Sequence, residues 1–253
     1  MQQIFPEHRP VDDPLSIYDR VELPVRPDRA YLYANMVSSV DGRVQLNGRA
    51  AGIGSPIDQK MMRRLRALAD AVVNGAGTFD AEDVYAPIAP NLIDMRRARG
   101  QRDQPLWAVA TGSGDVRLDA DMFKKDGRRP IAFIAERTPK ERRDELAKVA
   151  ELVVCGDDHP EPRRMLEVLR RDHDCKHVLS EGGPVLNMAN VRAGTLDELF
   201  LTFAPKLVAG EGKNIVEGEQ FPADALPRLD PISIFEHEHE LFFRYRLARD
   251  AKG

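Results

Sequence analysis

Between Tyr31 and Ser180 the chain repeats one pattern: a short β-prone apolar run, a stretch with helical spacing or turn residues, then another apolar run. YLYANMVSSV closes on the turn dipeptide Asp41-Gly42, and AVVNG, PLWAVAT, PIAFIAE, ELVVCG and KHVLSEGG follow it. Strands alternating with helices predict an α/β sheet carrying helices on its faces. The first helix is the clearest. Ser55 is a suitable N-cap, Pro56 fits the first helical position, and Met61, Leu65, Leu68 and Val72 then recur at steps of four, three and four. Prolines likewise open PKERRDELAKVA, PRRMLEVLRRDH and PVLNMANVRAG, the last closed by Gly194.

No linker divides residues 30 to 250, so the reading is a single domain over 29–250. Residues 1–28 carry Pro6, Pro10, Pro14, Pro24 and Pro27 and read as an extension on the domain surface. Residues 86–104, with two prolines and a basic cluster of Arg96, Arg97, Arg99 and Arg102, read as a loop or short surface helix, with the arginines either solvated or touching a ligand phosphate. The tail IFEHEHELFFRYRL reads as one long alternating strand. Lys and Arg number 37 against 41 Asp and Glu, a net charge of -4, which argues against a nucleic-acid or membrane-surface partner. Two cysteines, Cys155 and Cys175, and the lack of a leader-like or ~18-residue apolar run lead to the expectation of a reduced, cytoplasmic protein.

Several residues could carry chemistry. Glu181-Gly182-Gly183-Pro184 takes a strand into a helix, so two glycines allow close backbone approach where helical N–H groups point outward. Taken locally, that is either a pyrophosphate site or a tight turn with nothing bound. Gly75-x-Gly77 lacks a third glycine, which removes the ordinary dinucleotide fingerprint. Asp41, Glu82 and Glu181 all fall at strand ends, where α/β sheets place ligands, and a desolvated carboxylate there could donate a proton. His237 and His239 would share a strand face without a third ligand, so no metal is expected. Deaminase, nucleophile-elbow and P-loop signatures are absent from the sequence.

In order, ANMVSSVDGRV, SPIDQKMMRRLRALADAVVNGAGTFDAED and SEGGPVLNMANVRAGTLDELFLTFAPKLVAGEG resemble the reductase domain of riboflavin biosynthesis. That domain is the C-terminal half of a bifunctional deaminase/reductase and also occurs alone. The resemblance covers residues 30 to 247 and implies a dihydrofolate-reductase-like fold with a mostly parallel sheet. It implies NADPH-dependent reduction at the ribosyl C1′ of 5-amino-6-(5-phosphoribosylamino)uracil or its diamino-pyrimidinone analogue, in a homodimer. On matching positions, Gly182, Gly183, Pro184, Val185 and Leu186 would hold the cofactor pyrophosphate. Val37, Gly77 and Thr78 would contact the cofactor, and Thr111 and Ser113 would meet its 2′-phosphate. Arg66 would read the substrate phosphate, Glu181 the pyrimidine, and Glu82, Asp41 and Asn35, in that order, would donate or orient the proton, with Asn35 also touching substrate. The family's D-D-P is Glu82-Asp83-Val84 here, and the arginine that often follows has no counterpart in YAPIAPN. That departure keeps two other readings open: an NADPH reductase of another heterocycle, such as dihydrofolate, and a silent nucleotide-binding protein.

Overall fold

The computed structural model describes residues 1–49, 52–81, 85–124 and 129–248. From the N-terminus the elements are β1 (Gln2–Phe5), β2 (Arg9–Pro10), α1 (Ser16–Asp19), β3 (Tyr31–Ser39), α2 (Pro56–Leu68), β4 (Ala71–Gly75), α3 (Ala76–Ala81) and α4 (Pro90–Ala98). They continue as β5 (Leu106–Ala110), β6 (Ile131–Ile134), α5 (Lys140–Val149), β7 (Glu151–Val154), α6 (Pro162–Arg171), β8 (His177–Ser180), α7 (Pro184–Arg192), β9 (Leu196–Ala204), β10 (Leu229–His237) and β11 (Glu240–Leu247).

All the strands join one sheet in the order β2, β1, β10, β11, β9, β3, β8, β4, β5, β6, β7. From β9 to β7 every ladder is parallel; from β9 to β2 every ladder is antiparallel. The sheet is therefore mostly parallel with helices over it, as expected. After β3 the chain skips one place to β4, steps outward to β7, returns to insert β8 between β3 and β4, and then lays β9 on the far side of β3. The carboxyl ends of β3, β8 and β4 thus flank a reversal of strand order, where such sheets open a crevice.

Alternation along each strand splits the core. Tyr33, Val72, Trp107, Val109, Leu179 and Phe200 pack with Met61 and Leu65 of α2 on one face. Leu32, Val73, Ala108 and Val178 pack with Leu169 of α6 and Leu186 of α7 on the other. Helix α2 forms as its sequence dictates: Ser55 Oγ accepts the Asp58 N–H at 3.3 Å, Pro56 opens the helix, and the stripe of Met61, Leu65 and Leu68 is buried.

Three local expectations need correcting. Residues 1–28 do not merely lie on the surface, because β1 pairs with β10 and Tyr18 packs edge-on against Phe200 at 5.4 Å. The tail is a hairpin rather than one strand: Glu238 and His239 take φ of +50° and +71° between β10 and β11, and the His239 N–H donates to Glu236 Oε1. His237 and His239 therefore do not share a strand face. Within 86–104, α4 forms, and Arg96 is not solvated but fully buried, donating to the carbonyls of Ala67, Ala69 and Arg102. Among the described residues, no helix is long and apolar enough to cross a membrane and no three metal-ligating side chains cluster.

Candidate active site

At the crevice, β8 runs through Glu181 and two glycines into α7. The Gly75 N–H donates to the Gly182 carbonyl at 2.9 Å and the Glu181 N–H to that of Val73 at 3.2 Å, which ties this turn to the end of β4. Gly182 has φ +104°, a conformation glycine tolerates, and the Gly182–Gly183 peptide is cis. Gly183 caps α7, and a Cβ on it would stand 2.6 Å from Thr78 Oγ1. The glycine is thus required by the close approach of α3, and it leaves the first amides of α7 uncovered. A cleft of about 410 Å³ opens here, and Gly77, Thr78, Gly183, Pro184, Val185 and Leu186 all line it.

Val37, Thr111 and Ser113, expected to contact the cofactor, are not among the described residues that line this cleft. Val37 follows the pleat onto the face of Tyr33 and is not among the described residues lining the cleft; its neighbour Met36 approaches Gly182 instead. Thr111 is buried with its Oγ1 accepting the Gly114 N–H at 3.0 Å, and Ser113 Oγ accepts the Asp115 N–H at 3.1 Å. Both hydroxyls serve their own turn. Ala110, Gly112, His159 and Pro160 line the cleft, as do Lys213 and Glu217. Sequence reasoning missed His159, Lys213 and Glu217, which carry no local signal and arrive on loops far along the chain.

On the Tyr33 face of the same strand ends stands a second polar group. Arg66 of α2 donates Nε and Nη2 to the two oxygens of Glu181 at 2.8 and 2.7 Å, and its guanidinium lies 5.4 Å from the Trp107 ring centre. Both side chains are buried, at 5% and 7% exposure. The expectation that Arg66 offers its charge to a phosphate therefore meets a competitor already in place, since a bidentate carboxylate neutralises it. The β3–β8 ladder ends with Ala34 level with Ser180, and Asn35, partly exposed, and Glu181 are the residues that follow this last pair on the two chains. On the other flank, β4 contributes Asn74, whose fully buried amide has no hydrogen-bond partner. Asn74 was not singled out from the sequence either.

The proton-donor candidates separate. Glu82 lies outside the described residues. Asp41 accepts from the Val208 N–H at 3.0 Å, the Ser39 hydroxyl at 2.7 Å and the Ala209 N–H at 2.7 Å, and these bonds hold its carboxyl down at about 2. A carboxylate ionised so firmly fixes a loop and is a poor proton donor near neutral pH, so its expected catalytic part does not fit its surroundings. Asn35 and Glu181 each follow the last paired residues of β3 and β8.

A glycine-bounded cleft at a helix N-terminus on one side of a parallel-sheet switch point, with a buried ion pair on the other, defines a site built for a phosphate-bearing cofactor and a second molecule. Residues 30–242 match the RibD C-terminal domain, and the chain belongs to that family. It is 29% identical over 196 residues, 76% of this chain and 89% of the relative, to a protein of Archaeoglobus fulgidus named 2,5-diamino-6-ribosylamino-4(3H)-pyrimidinone 5′-phosphate reductase. An Aquifex aeolicus protein of the same name is 29% identical over 201 residues, 77% of this chain and 85% of the relative. Among solved structures, a pyrimidine reductase-like protein of Corynebacterium diphtheriae superposes with a TM-score of 0.75 at 20% identity, covering 88% of this chain and 94% of that one. That likeness shows the shared fold.

Proposed function

We propose that this chain is the NADPH-dependent reductase that converts 2,5-diamino-6-ribosylamino-4(3H)-pyrimidinone 5′-phosphate, or its uracil counterpart, to the ribitylamino product. The oxidoreductase class and its place in riboflavin biosynthesis follow from the family and from the names its stand-alone relatives carry. One observation carries the reading: the cofactor cleft and the Glu181 pair meet across a single turn, Gly182–Gly183, against Thr78. A molecule in the cleft and a ring at Glu181 would be neighbours.

The cleft fits a nicotinamide dinucleotide. Gly183 and the first turn of α7 would hold the pyrophosphate through backbone amides, with Gly77 and Thr78 toward the reacting end; a Cβ at Gly77 would meet nothing within 4 Å, which leaves room for a ring. When bound, the cofactor supplies the hydride that reduces the opened, imine-like C1′ of the sugar. Glu181, fixed by Arg66, would orient the pyrimidine, and Asn35 beside it would complete the ring contact. Glu82 is the carboxyl proposed to deliver the proton. A second reading, a reductase of a different ring, gains from the commitment of Arg66 to Glu181, which leaves that arginine less free for a substrate phosphate.

We place the enzyme in the cytoplasm, as a homodimer. The dimer reading is supported by the sheet face beyond Leu199, where Leu201, Phe243, Tyr245 and Leu247 keep part of their surface in solvent. Turnover followed through NADPH absorbance tests the function. Oxidation is expected with either phosphorylated pyrimidine and not with dihydrofolate. The reverse pattern supports the second reading, and no oxidation with any of them, despite tight NADPH binding, means a silent protein.

A further inference from the structure

The cleft has one side that the α7 turn does not supply. After β9 the chain brings Lys213 and Glu217 to the cleft, and this segment is fastened at both ends. Asp41 takes the N–H groups of Val208 and Ala209, and the guanidinium of Arg43 donates to the carbonyls of Gly210 and Gly212 at 2.5 and 2.6 Å. The Val40 N–H donates to the Lys206 carbonyl at 2.9 Å, and the Val44 N–H to that of Lys213 at 3.1 Å. Farther on, Asn187 Nδ2 of α7 donates to the Ile215 carbonyl at 3.1 Å, and the Glu217 N–H to that of Pro184 at 3.1 Å. The S-x-D-G-R run thus grips a loop that then docks on the cap of α7.

What the loop brings to the cleft is charge. Lys213 is the one lysine or arginine among the described residues that line it, and its ammonium has no hydrogen bond or ion pair there. Glu217, also lining, turns its Oε1 to the Asn214 N–H at 3.2 Å. A helix N-terminus supplies only about half a unit of positive charge, against a pyrophosphate bearing about two negative charges. The protein as a whole, at -4, adds nothing attractive.

We propose that residues 205–217 form a cofactor-binding strap in which Asp41 and Arg43 act as positioning residues and Lys213 supplies the side-chain cation for the cofactor pyrophosphate. The inference rests on the nicotinamide-cofactor reading and deepens it. Because NADPH and NADH share the pyrophosphate, Lys213 contributes equally to both.

The test is a fluorescence titration of the whole protein with NADPH and with NADH at two salt concentrations. Lys213→Met is expected to raise both dissociation constants at least tenfold by a similar factor, flatten their salt dependence and leave the ligand-free melting temperature unchanged, while Lys213→Arg restores most of the affinity. Asp41→Asn should weaken both cofactors as well, and should add little on a Lys213→Met background, since it acts through the same ammonium. Arg43→Met replaces it in the cycle should Asp41→Asn not fold. Unchanged affinity in Lys213→Met, or a loss for NADPH alone, overturns the assignment to the pyrophosphate. Fully additive effects of Asp41→Asn and Lys213→Met overturn the strap. A wild-type protein that binds neither dinucleotide overturns the cofactor reading itself, an outcome distinct from the other two.

Discussion

A guanidinium and a carboxylate shut away from water are each costly alone, and the pairing of Arg66 with Glu181 is what makes their burial possible. Truncating one leaves the other charged and unpaired. Arg66→Ala is therefore expected to lower unfolding free energy by about 3 kcal/mol in urea titrations. It should also reduce kcat/KM by the same factor for the phosphorylated substrate and its dephosphorylated analogue, because what is lost is the orientation of Glu181. A loss confined to the phosphorylated form would return Arg66 to phosphate reading. Asp58 obeys the same physics with a different outcome. Burial pushes its carboxyl up to about 6, against a hydrogen bond from Thr202 and with the help of the nearby Glu240 charge. The fold therefore prefers the protonated acid. Its contribution to stability is full below about pH 4, the ordinary carboxylate range, and is lost as pH rises through about 6. Asp58→Asn should flatten the pH dependence of the melting temperature across that window and raise stability at pH 7.5 by about 2 kcal/mol. A variant whose pH profile matches the wild type would show that Asp58 is solvated.

Between residue and fold stand the elements, and one of their ends rests on a side chain from another. Helix α2 ends at Leu68, and Arg96 of α4 donates to the carbonyls of Ala67 and Ala69 there, with Nε on the carbonyl of Arg102. A cation at a helix C-terminus satisfies both the orphan carbonyls and the dipole. Arg96→Met keeps the length of the stem and removes every donor, so a loss of about 3 kcal/mol, or about 6–12 °C in melting temperature by calorimetry, is expected. An unchanged melting temperature would mean that water replaces the arginine. The caps that sequence alone reveals are those made within the element, such as Ser55-Pro56 at α2 and Gly183-Pro184 at α7. The β10–β11 hairpin escaped notice for a related reason. Its turn residues, Glu238 and His239, take positive φ without the Asn, Asp or Gly that usually advertises such a turn.

In the whole molecule, the helices cover the parallel half of the sheet on both faces, while the antiparallel half keeps apolar side chains partly in solvent. Phe243 stacks on Tyr245 at 5.3 Å between ring centres, beside Leu201 across the β9–β11 ladder. If a second copy of the chain covers this face, light scattering of the wild type gives twice the mass of one chain, and Phe243→Glu gives a monomer with an unchanged circular-dichroism spectrum. A wild-type monomer at micromolar concentration would remove the dimer from the reading.

The alternation of strands and helices, the stripe on α2, the glycine turn before α7 and the ordered motifs were legible in the sequence, because each is made of interactions within a few residues. The partners of the charged groups were not. Arg66 meets Glu181 across 115 positions, Asp41 reaches Val208 across 167, and Lys213 comes to a cleft whose floor begins at Gly75. Which charged groups meet depends on strand order: inserting β8 between β3 and β4 brings Glu181 under Arg66, and laying β9 beside β3 brings Val208 to Asp41. Local propensity determines the pieces; the assembled sheet determines which carboxylate meets a buried arginine, as Glu181 does, and which meets a loop at the surface, as Asp41 does.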